Sequence, residues 1–410
     1  MPRILRILNR FNLGGPTYNA AYLTRYMDNE FETLLVGGPN DPSEKNSEYI
    51  VQQLGIEPLI IPEMRREISP SNDYKAFQKI KQLIGSFQPD IVHTHASKAG
   101  ALGRHAALVM NVPHIFHTFH GHVFDAYFHP LKTRFYKNIE RQLARKTTGI
   151  IALSENQKYD LTEKYKICKN DKVHVVPLGF DLSRFRDKMD EKRIQFRKRF
   201  HLAEDEIAIG IIGRLVPIKN HRLFLEAFRI LQQKTTKKVR AFIIGDGESR
   251  ELIKQNAIDL GIDWVNGIGD YHAASLTFTS WIKEIDFAFA GLDIIALTSH
   301  NEGTPVSLIE AQAASKPIVS TRVGGIEDVV VSGFTALLSE AGDKEVFAEN
   351  LQKLAENDEL RRSFSESGWQ KIGQKFHYRR LVEDMEDLYR IHLGNSNYAE
   401  GVPSKTYAVS

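Results

Sequence analysis

Short apolar runs alternate with amphipathic segments along the first half of the chain. The runs have the length and residue types of buried strands. They lie at Arg3–Leu8, Thr33–Val36, Pro58–Ile61, Ile91–His93, His114–Thr118 and Gly149–Leu153. Helical patterns separate them, at Thr17 to about Met27, Asp73–Phe87 and Ala99–Met110. This alternation of strand and helix predicts a parallel sheet that carries helices on both faces.

The second half of the chain repeats the same alternation. Its predicted strands are Ile207–Ile212, Ala241–Ile244, Asp293–Leu297 and Pro317–Thr321. A chain of 410 residues can form roughly two or three domains with full cores. We therefore predict two doubly wound α/β domains. Their boundaries are 1–180 and 181–376, followed by a terminal amphipathic helix at 377–394 and a disordered tail at 395–410.

Charge and cysteine content exclude several classes of protein. A net charge of +3 on so long a chain gives little general attraction for nucleic acid. Cys168 is the one cysteine, so a disulfide within the chain and a cysteine-based zinc site are excluded, as expected for a reducing cytoplasm. Because the chain enters a strand pattern at Arg3 and has no long apolar segment, we expect neither a signal peptide nor a membrane-spanning helix.

The segment around Glu302 carries the clearest candidate chemistry. The strand pattern Asp293–Leu297 runs into a polar turn, and Pro305 is predicted to be the first residue of a helix. Glu302 then lies in the loop and Glu310 in the second helical turn, so both can face the crevice where α/β sheets bind ligands. The helix start also suits a phosphate. Its residues are Gly303, Thr304, Pro305 and Val306.

The run Asn301–Pro305 followed by Ser307–Ala311 closely resembles the Glu-x7-Glu signature of the retaining GT4 glycosyltransferases. The resemblance implies the GT-B fold, in which two Rossmann-like domains face a cleft and a C-terminal helix crosses back to the first domain. It also implies roles for the two carboxylates. Glu302 would bind hydroxyls of the donor sugar, and Glu310 would bind the ribose of the nucleotide.

A second family marker follows the strand pattern Ile207–Ile212, at Gly213–Asn220. By resemblance, Arg214 and Lys219 would clamp the donor diphosphate. Two fixed cations near a helix start can neutralise the charge that grows on a departing nucleoside diphosphate. The alternative is a pair of surface charges that flank a proline turn.

The turn after the first strand contains Gly14 and Gly15, which allow backbone N–H groups to approach a phosphate closely. The turn lacks the G-x-G-x-x-G spacing, so a nicotinamide-type dinucleotide site is not expected. A tight turn with no further role is an open alternative.

Eight of the fifteen histidines lie between His93 and His129. Two spacings, His93-x-His95 and His117-x-x-His120-x-His122, could hold a metal, but imidazoles at a polar crevice need none. The stretches Val92–Arg104 and His117–Phe124 resemble the N-terminal domain of bacterial polysaccharide-building GT4 enzymes. That resemblance implies that His120 lies at the reaction centre. Arg65-Arg66-Glu67 resembles another family segment on the acceptor side, so the implied acceptor-side positions are Arg65, His95 and Lys98.

A basic face lies on the predicted helix Leu131–Lys146, opposite an apolar face. The basic residues are Arg134, Lys137, Arg141 and Arg145. A solvated face is the commoner explanation. The Tyr127–Phe128 pair beside it leaves contact with anionic lipid open.

With these residues, the resemblance implies a cytoplasmic, retaining, metal-independent glycosyltransferase without a cofactor. Its substrates would be a nucleotide-sugar donor, with UDP favoured, and a glycan or lipid-linked acceptor of cell-surface polysaccharide synthesis, and nucleic acid is not expected as a partner. Three alternatives stay open: a nucleotide-sugar epimerase of the same fold, an inactive glycan-binding protein, and a metallo-hydrolase built on the histidines.

Leu178 departs from the family, which commonly has Asn at this position, so a polar contact there is not carried over.

Overall fold

The computed structural model describes residues 1–11, 14–39, 48–65, 67–121, 130–267 and 274–394. The described chain divides into two compact units. Of the described residues, unit 1 contains those of 1–180 and 375–394, and unit 2 contains those of 181–374. Each unit has a seven-stranded sheet, and the paired strands run parallel. The prediction of two doubly wound α/β domains is confirmed.

The sheet of unit 1 has the strand order β3-β2-β1-β4-β5-β6-β7. Its strands are β1 Arg3–Arg10, β2 Glu32–Gly38, β3 Leu59–Ile60, β4 Ile91–His95, β5 His114–Thr118, β6 Gly149–Ala152 and β7 Val173–Val175. The helices of this unit are α1 Gly15–Arg25, α2 Glu48–Gln53, α3 Pro70–Phe87, α4 Ser97–Val109, α5 Pro130–Lys146 and α6 Glu155–Tyr159, with the last helix, α14, at Tyr378–His392.

The terminal helix α14 is part of unit 1, so the predicted return of the C-terminal helix to the first domain is confirmed. Its apolar face, which includes Leu381, Met385 and Tyr389, is buried with Ile4 of β1 and Phe116 of β5. Burial of an aliphatic or aromatic side chain contributes roughly 1.5–3 kcal/mol relative to exposure. The apolar stripe of α14 therefore fixes this helix against the sheet.

The sheet of unit 2 has the strand order β10-β11-β9-β8-β12-β13-β14. Its strands are β8 Ile207–Ile212, β9 Val239–Ile244, β10 Trp264–Asn266, β11 Leu276–Ser280, β12 Ile294–Leu297, β13 Ile318–Thr321 and β14 Ala336–Ser339. The helices are α7 Met189–Arg199, α8 His221–Lys234, α9 Arg250–Asp259, α10 Ile285–Gly291, α11 Val306–Ala313, α12 Lys344–Glu356 and α13 Asp358–Ile372.

The charged stretch from Arg184 to His201 contains the helix α7. Its cations bond to acids of unit 2. Lys192 pairs with Asp286 at 2.9 Å, and Arg193 and Arg197 both pair with Asp293 at 2.7 and 3.2 Å. These ion pairs therefore attach α7 to α10 and to the residue that precedes β12, within unit 2.

Each sheet has a central reversal point, where the chain leaves one side of the sheet and continues on the other. In unit 1 this point lies between β1 and β4, and in unit 2 it lies between β8 and β12. Loops at the carboxyl ends of two such strands diverge and leave a crevice where α/β proteins bind ligands. The topology therefore singles out the loops after these four strands before any side chain is considered.

Candidate active site

Two loops form the crevice of unit 2: Gly213–Asn220 after β8 and Thr298–Pro305 after β12. They are hydrogen-bonded to each other. The His300 N–H donates to the Ile218 carbonyl at 2.8 Å, and the Thr298 hydroxyl donates to the Lys219 carbonyl at 3.0 Å. These bonds hold the two sequence markers together at the reversal point of the sheet.

Lys219 and Glu302 are in direct contact across these loops. The Lys219 Nζ lies 2.6 Å from Glu302 Oε1, and the Ser299 hydroxyl donates to the same oxygen at 2.5 Å. The two side chains are 21% and 11% exposed, so solvent screens the pair less than it would a surface pair. The residue assigned to the phosphates and the residue assigned to the sugar therefore belong to one site. Ser299 was not singled out from the sequence.

Arg214 directly follows β8 and its turn glycine, Gly213, and its side chain is exposed. The neighbouring backbone is fixed, because the Leu215 N–H donates to the Asp246 carbonyl at 2.9 Å. Asp246 itself lies in the turn between β9 and α9. Arg214 is thus held at the carboxyl edge of the central strand, in the same loop as Lys219.

The helix α11 begins one residue later than predicted. Pro305 has the non-helical angles φ −74° and ψ 93°, and its carbonyl accepts from the Leu308 N–H at 3.0 Å, so it is the N-cap. Across the described ranges, the N–H groups of Gly303, Thr304 and Val306 donate to no protein acceptor. This start of α11 has the unsatisfied donors and partial positive charge that attract an anion.

A glycine pair packs directly beneath the Glu302 loop. The Gly325 N–H donates to the Glu302 carbonyl at 3.0 Å. A Cβ on Gly324 would lie 2.0 Å from that carbonyl oxygen, and a Cβ on Gly325 would lie 1.9 Å from the Gly303 carbonyl oxygen. Both contacts are far below van der Waals distance, so the loop keeps its position only because side chains are absent there.

We expect Gly324→Ala to lower the free energy of unfolding by about 1–3 kcal/mol, because it combines a left-handed backbone with this clash. The φ angle of Gly324 is +51°. The matched control is Gly333→Ala, since Gly333 has φ +80° but no atom within 4 Å of the added Cβ. Urea denaturation measures both variants. Equal losses would mean that the loop yields without cost.

Glu310 lies in the second turn of α11, as predicted. Its Oε1 is 3.5 Å from Nη2 of Arg184, and its side chain is 14% exposed. Burial raises the pKa of this carboxyl to about 7; Arg184 opposes that shift and the nearby Asp286 adds to it. Asp286 is in turn paired with Lys192. Arg184 could not be predicted as a site residue from the sequence, because it lies outside both family markers.

In unit 1, His95 and His120 lie at the carboxyl ends of β4 and β5, with Nδ1 of His95 3.0 Å from Nε2 of His120. Burial lowers the pKa of His120 to about 3 and, together with neighbouring histidines, holds that of His95 well below its usual range. Both rings are therefore neutral at pH 7. Nε2 of His95 and Nδ1 of His120 are buried without a partner in the described chain, as expected of atoms that bind a ligand.

His93 and His117 are bonded within unit 1. The two ring nitrogens of His93 lie 2.6 Å from the Tyr389 hydroxyl and 2.8 Å from the Thr118 hydroxyl. Nδ1 of His117 lies 2.8 Å from the Thr94 hydroxyl. In the part of the chain that the structure describes, no group of three His, Cys, Asp or Glu side chains could hold a metal ion. His122, from the second histidine spacing, lies outside the described residues.

The acceptor-side residues Lys98 and Arg65 lie together. The Lys98 ammonium donates to the carbonyls of Arg65 and Glu67 at 2.9 and 2.5 Å and pairs with Asp73 at 2.5 Å. Arg65 is exposed, and Arg66 lies outside the described residues. Lys98 therefore holds the loop between β3 and α3 in place. The Arg65 side chain faces solvent instead.

Gly14 and Gly15 form the N-cap and first residue of α1. The helix begins two residues before the predicted Thr17, because Pro16 is accepted in a first helical turn. Asn12 and Leu13 lie outside the described residues. The glycine turn thus lies at the carboxyl end of β1, beside the reversal point of sheet 1.

The basic face of α5 is partly used within unit 1. Arg141 donates to the carbonyls of Lys166 and Tyr165 at 2.9 and 2.7 Å, and Lys137 lies over the Tyr165 ring at 4.3 Å. Arg134 and Arg145 are exposed, while the Tyr127–Phe128 pair lies outside the described residues. No described helix combines the length and apolar character needed to cross a bilayer.

Comparison with known proteins identifies the class. Residues 192–371 match the family described as Glycosyl transferases group 1, and residues 13–184 match Glycosyltransferase Family 4. The two matches define a glycosyltransferase. The chain belongs to the GT4 type of this enzyme class and has the GT-B fold.

Two relatives and one solved structure illustrate the match. The chain is 28% identical to UDP-Gal:alpha-D-GlcNAc-diphosphoundecaprenol alpha-1,3-galactosyltransferase of Escherichia coli, over 82% of this chain and 84% of the relative. It is 27% identical to the capsular polysaccharide biosynthesis glycosyltransferase CapM of Staphylococcus aureus, over 82% and 86%. The structure of Anabaena Alr3699/HepE in complex with UDP superposes with a TM-score of 0.78 at 17% identity, over 95% and 100%.

Proposed function

We propose that this enzyme transfers a sugar from a nucleotide diphosphate donor to a hydroxyl of a glycan or lipid-linked acceptor in cell-surface polysaccharide synthesis, with retention at the anomeric carbon. The observation that carries the proposal is the contact between Lys219 and Glu302 at the reversal point of sheet 2. A cation and a carboxylate beside a helix start with unsatisfied N–H donors match a ligand that has both phosphates and hydroxyls.

UDP is the favoured nucleotide. The Escherichia coli relative is named for a UDP-Gal donor and a diphosphoundecaprenol-linked acceptor, and the Anabaena structure contains UDP. The Staphylococcus relative is named for capsular polysaccharide biosynthesis. These names support a UDP-sugar donor and an acceptor of the polysaccharide type for this enzyme.

In the proposed reaction, the bond between the anomeric carbon and the diphosphate oxygen breaks while the acceptor oxygen attacks on the same face. The acceptor proton passes to the leaving phosphate, so no separate base is required. Arg214, Lys219 and the start of α11 stabilise the charge on the leaving group. Glu302 binds donor sugar hydroxyls, and Glu310 binds the ribose.

Unit 1 would supply the acceptor side and, with His120, a residue of the reaction centre. His120 is neutral at pH 7, and its Nδ1 has no partner in the described chain, so this nitrogen can donate or accept one hydrogen bond with a sugar hydroxyl, according to the tautomer. His95 positions that ring through the 3.0 Å contact. Arg65 faces solvent and is available to an anionic or hydroxylated acceptor.

A donor screen tests the function. Purified enzyme is incubated with UDP-, GDP- and TDP-sugars, with and without lipid-linked acceptors, and nucleotide release and product mass are measured. Acceptor-dependent release of nucleotide and a product heavier by one sugar are expected. Conversion of the donor sugar without an acceptor would identify an epimerase, and tight donor binding without any turnover would identify a binding protein.

We expect activity to survive removal of divalent metals with EDTA, because protein cations and helix donors supply the positive charge that a metal would supply. The measurement is the initial rate after EDTA treatment and after readdition of Mg²⁺. The control is a metal-dependent transferase treated in parallel. Complete loss of rate that Mg²⁺ reverses would contradict the proposal.

A further inference from the structure

Arg184 is the cation that faces Glu310. It lies in a short 3₁₀ turn, Ser183–Phe185, and its Nη2 is 3.5 Å from Glu310 Oε1. In the described chain, no hydrogen bond reaches the Glu310 carboxylate. An ionised carboxylate has about four lone-pair sites, so it can still accept hydrogen bonds from a ligand while Arg184 remains beside it.

The turn that carries Arg184 is anchored on both sides. Phe185 is 1% exposed and packs edge-on against Phe289 of α10 with 5.6 Å between ring centroids. The Arg184 guanidinium lies 4.9 Å from the centroid of the Phe185 ring, and the Ser183 hydroxyl donates to Asp181 at 2.6 Å. Arg184 therefore extends toward Glu310 from a fixed backbone.

The charged groups around Glu310 come from three elements. Arg184 belongs to the 3₁₀ turn and Asp286 to α10, while Lys192 of α7 pairs with Asp286 at 2.9 Å. Burial raises the pKa of Glu310 to about 7, Arg184 lowers it, and Asp286 raises it further. Without Arg184, burial and Asp286 would both raise the pKa of Glu310 with no cation beside it to lower that pKa. The carboxyl would then hold its proton at higher pH than it does in the native enzyme.

We propose that Arg184 is a positioning residue for the donor nucleotide: it keeps the Glu310 carboxylate ionised and oriented to accept hydrogen bonds from the two ribose hydroxyls. The inference rests on the proposed function, since it takes a nucleotide as the ligand of Glu310. It adds a residue outside both family markers to the donor site. It also makes nucleotide affinity depend on pH through one identified carboxyl.

The sign of the pH dependence follows from linkage. A nucleotide that binds ionised Glu310 loses affinity as the pH falls through the pKa of that carboxyl, by up to tenfold per pH unit. In an Arg184→Gln variant this loss begins at higher pH. The variant should therefore bind UDP about three- to tenfold more weakly than the native enzyme near pH 7, with the two affinities converging toward pH 9.

The experiment is calorimetry of UDP binding between about pH 6 and about pH 9 to the native enzyme, Arg184→Gln, Arg184→Lys and Arg186→Gln. Arg186 is the matched control, because it is an arginine two residues away whose guanidinium lies over Trp369 at 4.8 Å. The ratio of native to variant affinity at each pH cancels the titration of UDP itself. Arg184→Lys should restore most of the affinity, and Arg186→Gln should match the native enzyme.

A second ligand isolates the ribose. With 2′,3′-dideoxy-UDP the native enzyme and Arg184→Gln should bind equally at every pH, because the hydroxyls that Glu310 holds are missing. Thermal unfolding of each variant checks that the fold is retained.

Native-like UDP binding by Arg184→Gln across the pH range would overturn the inference and leave the proposed function intact. A loss of the same size with UDP and its dideoxy analogue would overturn it too, since Arg184 would then act on the phosphates. Failure of the native enzyme to bind any of UDP, GDP and TDP would overturn the proposed function itself and, with it, this inference.

Discussion

Lys219→Ala should lower kcat by about two to three orders of magnitude, the usual effect of removing one group that stabilises charge in the transition state. Two observations on Lys219 support this expectation. Its ammonium is held at the reversal point of sheet 2, where a leaving diphosphate would lie, and it pairs with Glu302 at 2.6 Å. The substitution would remove the cation and would also leave Glu302, 11% exposed, with Ser299 as its neighbouring donor.

The control for this variant is Arg222→Ala. Arg222 lies three residues after Lys219, but its side chain is 70% exposed and pairs with Glu226 on the helix surface. Steady-state kinetics with saturating donor measure both variants. A kcat of Lys219→Ala within a few-fold of the control would remove Lys219 from the catalytic machinery.

Arg214→Ala should lose activity by the same order as Lys219→Ala, since Arg214 lies in the same loop and is assigned to the same phosphates.

The regular part of the fold was predictable because buried strands and amphipathic helices have distinct periods. The central strands, such as β8 and β12, are buried throughout, and their continuous apolar runs were read correctly. The prediction missed β7, β10 and β14, which lie at sheet edges. These three edge strands have three or four residues and mixed burial, so their apolar runs are too short to signal a strand.

The interior strand β11 was also missed, for a different reason. It alternates Leu276, Phe278 and Ser280 with threonines. Both faces of the strand are nevertheless largely covered in the sheet, with Thr277 3% exposed. A buried polar residue interrupts the apolar run that signals a central strand, so local pattern alone does not identify it.

The candidate site was predictable where one segment carries several functional residues. Glu302 lies in the loop before α11 and Glu310 lies in that helix, so their spacing along the chain predicted that both lie near one crevice. The pairing of Lys219 with Glu302 spans 83 positions and depends on β8 lying beside β12. The bond from His93 to Tyr389 spans 296 positions. Contacts of this kind follow from strand order and helix packing, which no local pattern contains.

The two glutamates should respond differently to replacement by glutamine. Glu302→Gln keeps the shape of the side chain but removes the charge beside Lys219. A carboxylate on the donor sugar acts where positive charge develops as the bond to the phosphate breaks. We therefore expect kcat to fall by about one to two orders of magnitude, as for the loss of a charge-assisted hydrogen bond in the transition state, while UDP affinity stays nearly unchanged.

Glu310→Gln should act on binding instead, because the ribose is held in the ground state and the transition state alike. The donor KM and the dissociation constant of UDP should both rise by roughly tenfold, with a small change in kcat. The pH dependence should change as well. Native affinity falls as the pH drops through about 7, where Glu310 gains its proton, whereas the glutamine variant has no carboxyl to titrate and should lose that dependence.

Calorimetry with UDP and steady-state kinetics on both variants separate the two roles. Glu302 lies before the first turn of α11 and Glu310 lies in its second turn, so a donor bound along this helix start meets them at opposite ends. A Glu302→Gln variant that loses UDP affinity with unchanged kcat, together with a Glu310→Gln variant that loses kcat, would mean that the donor lies in the reverse direction. Equal weakening of UDP binding by both would place the two carboxylates on the nucleotide and leave the sugar to other residues.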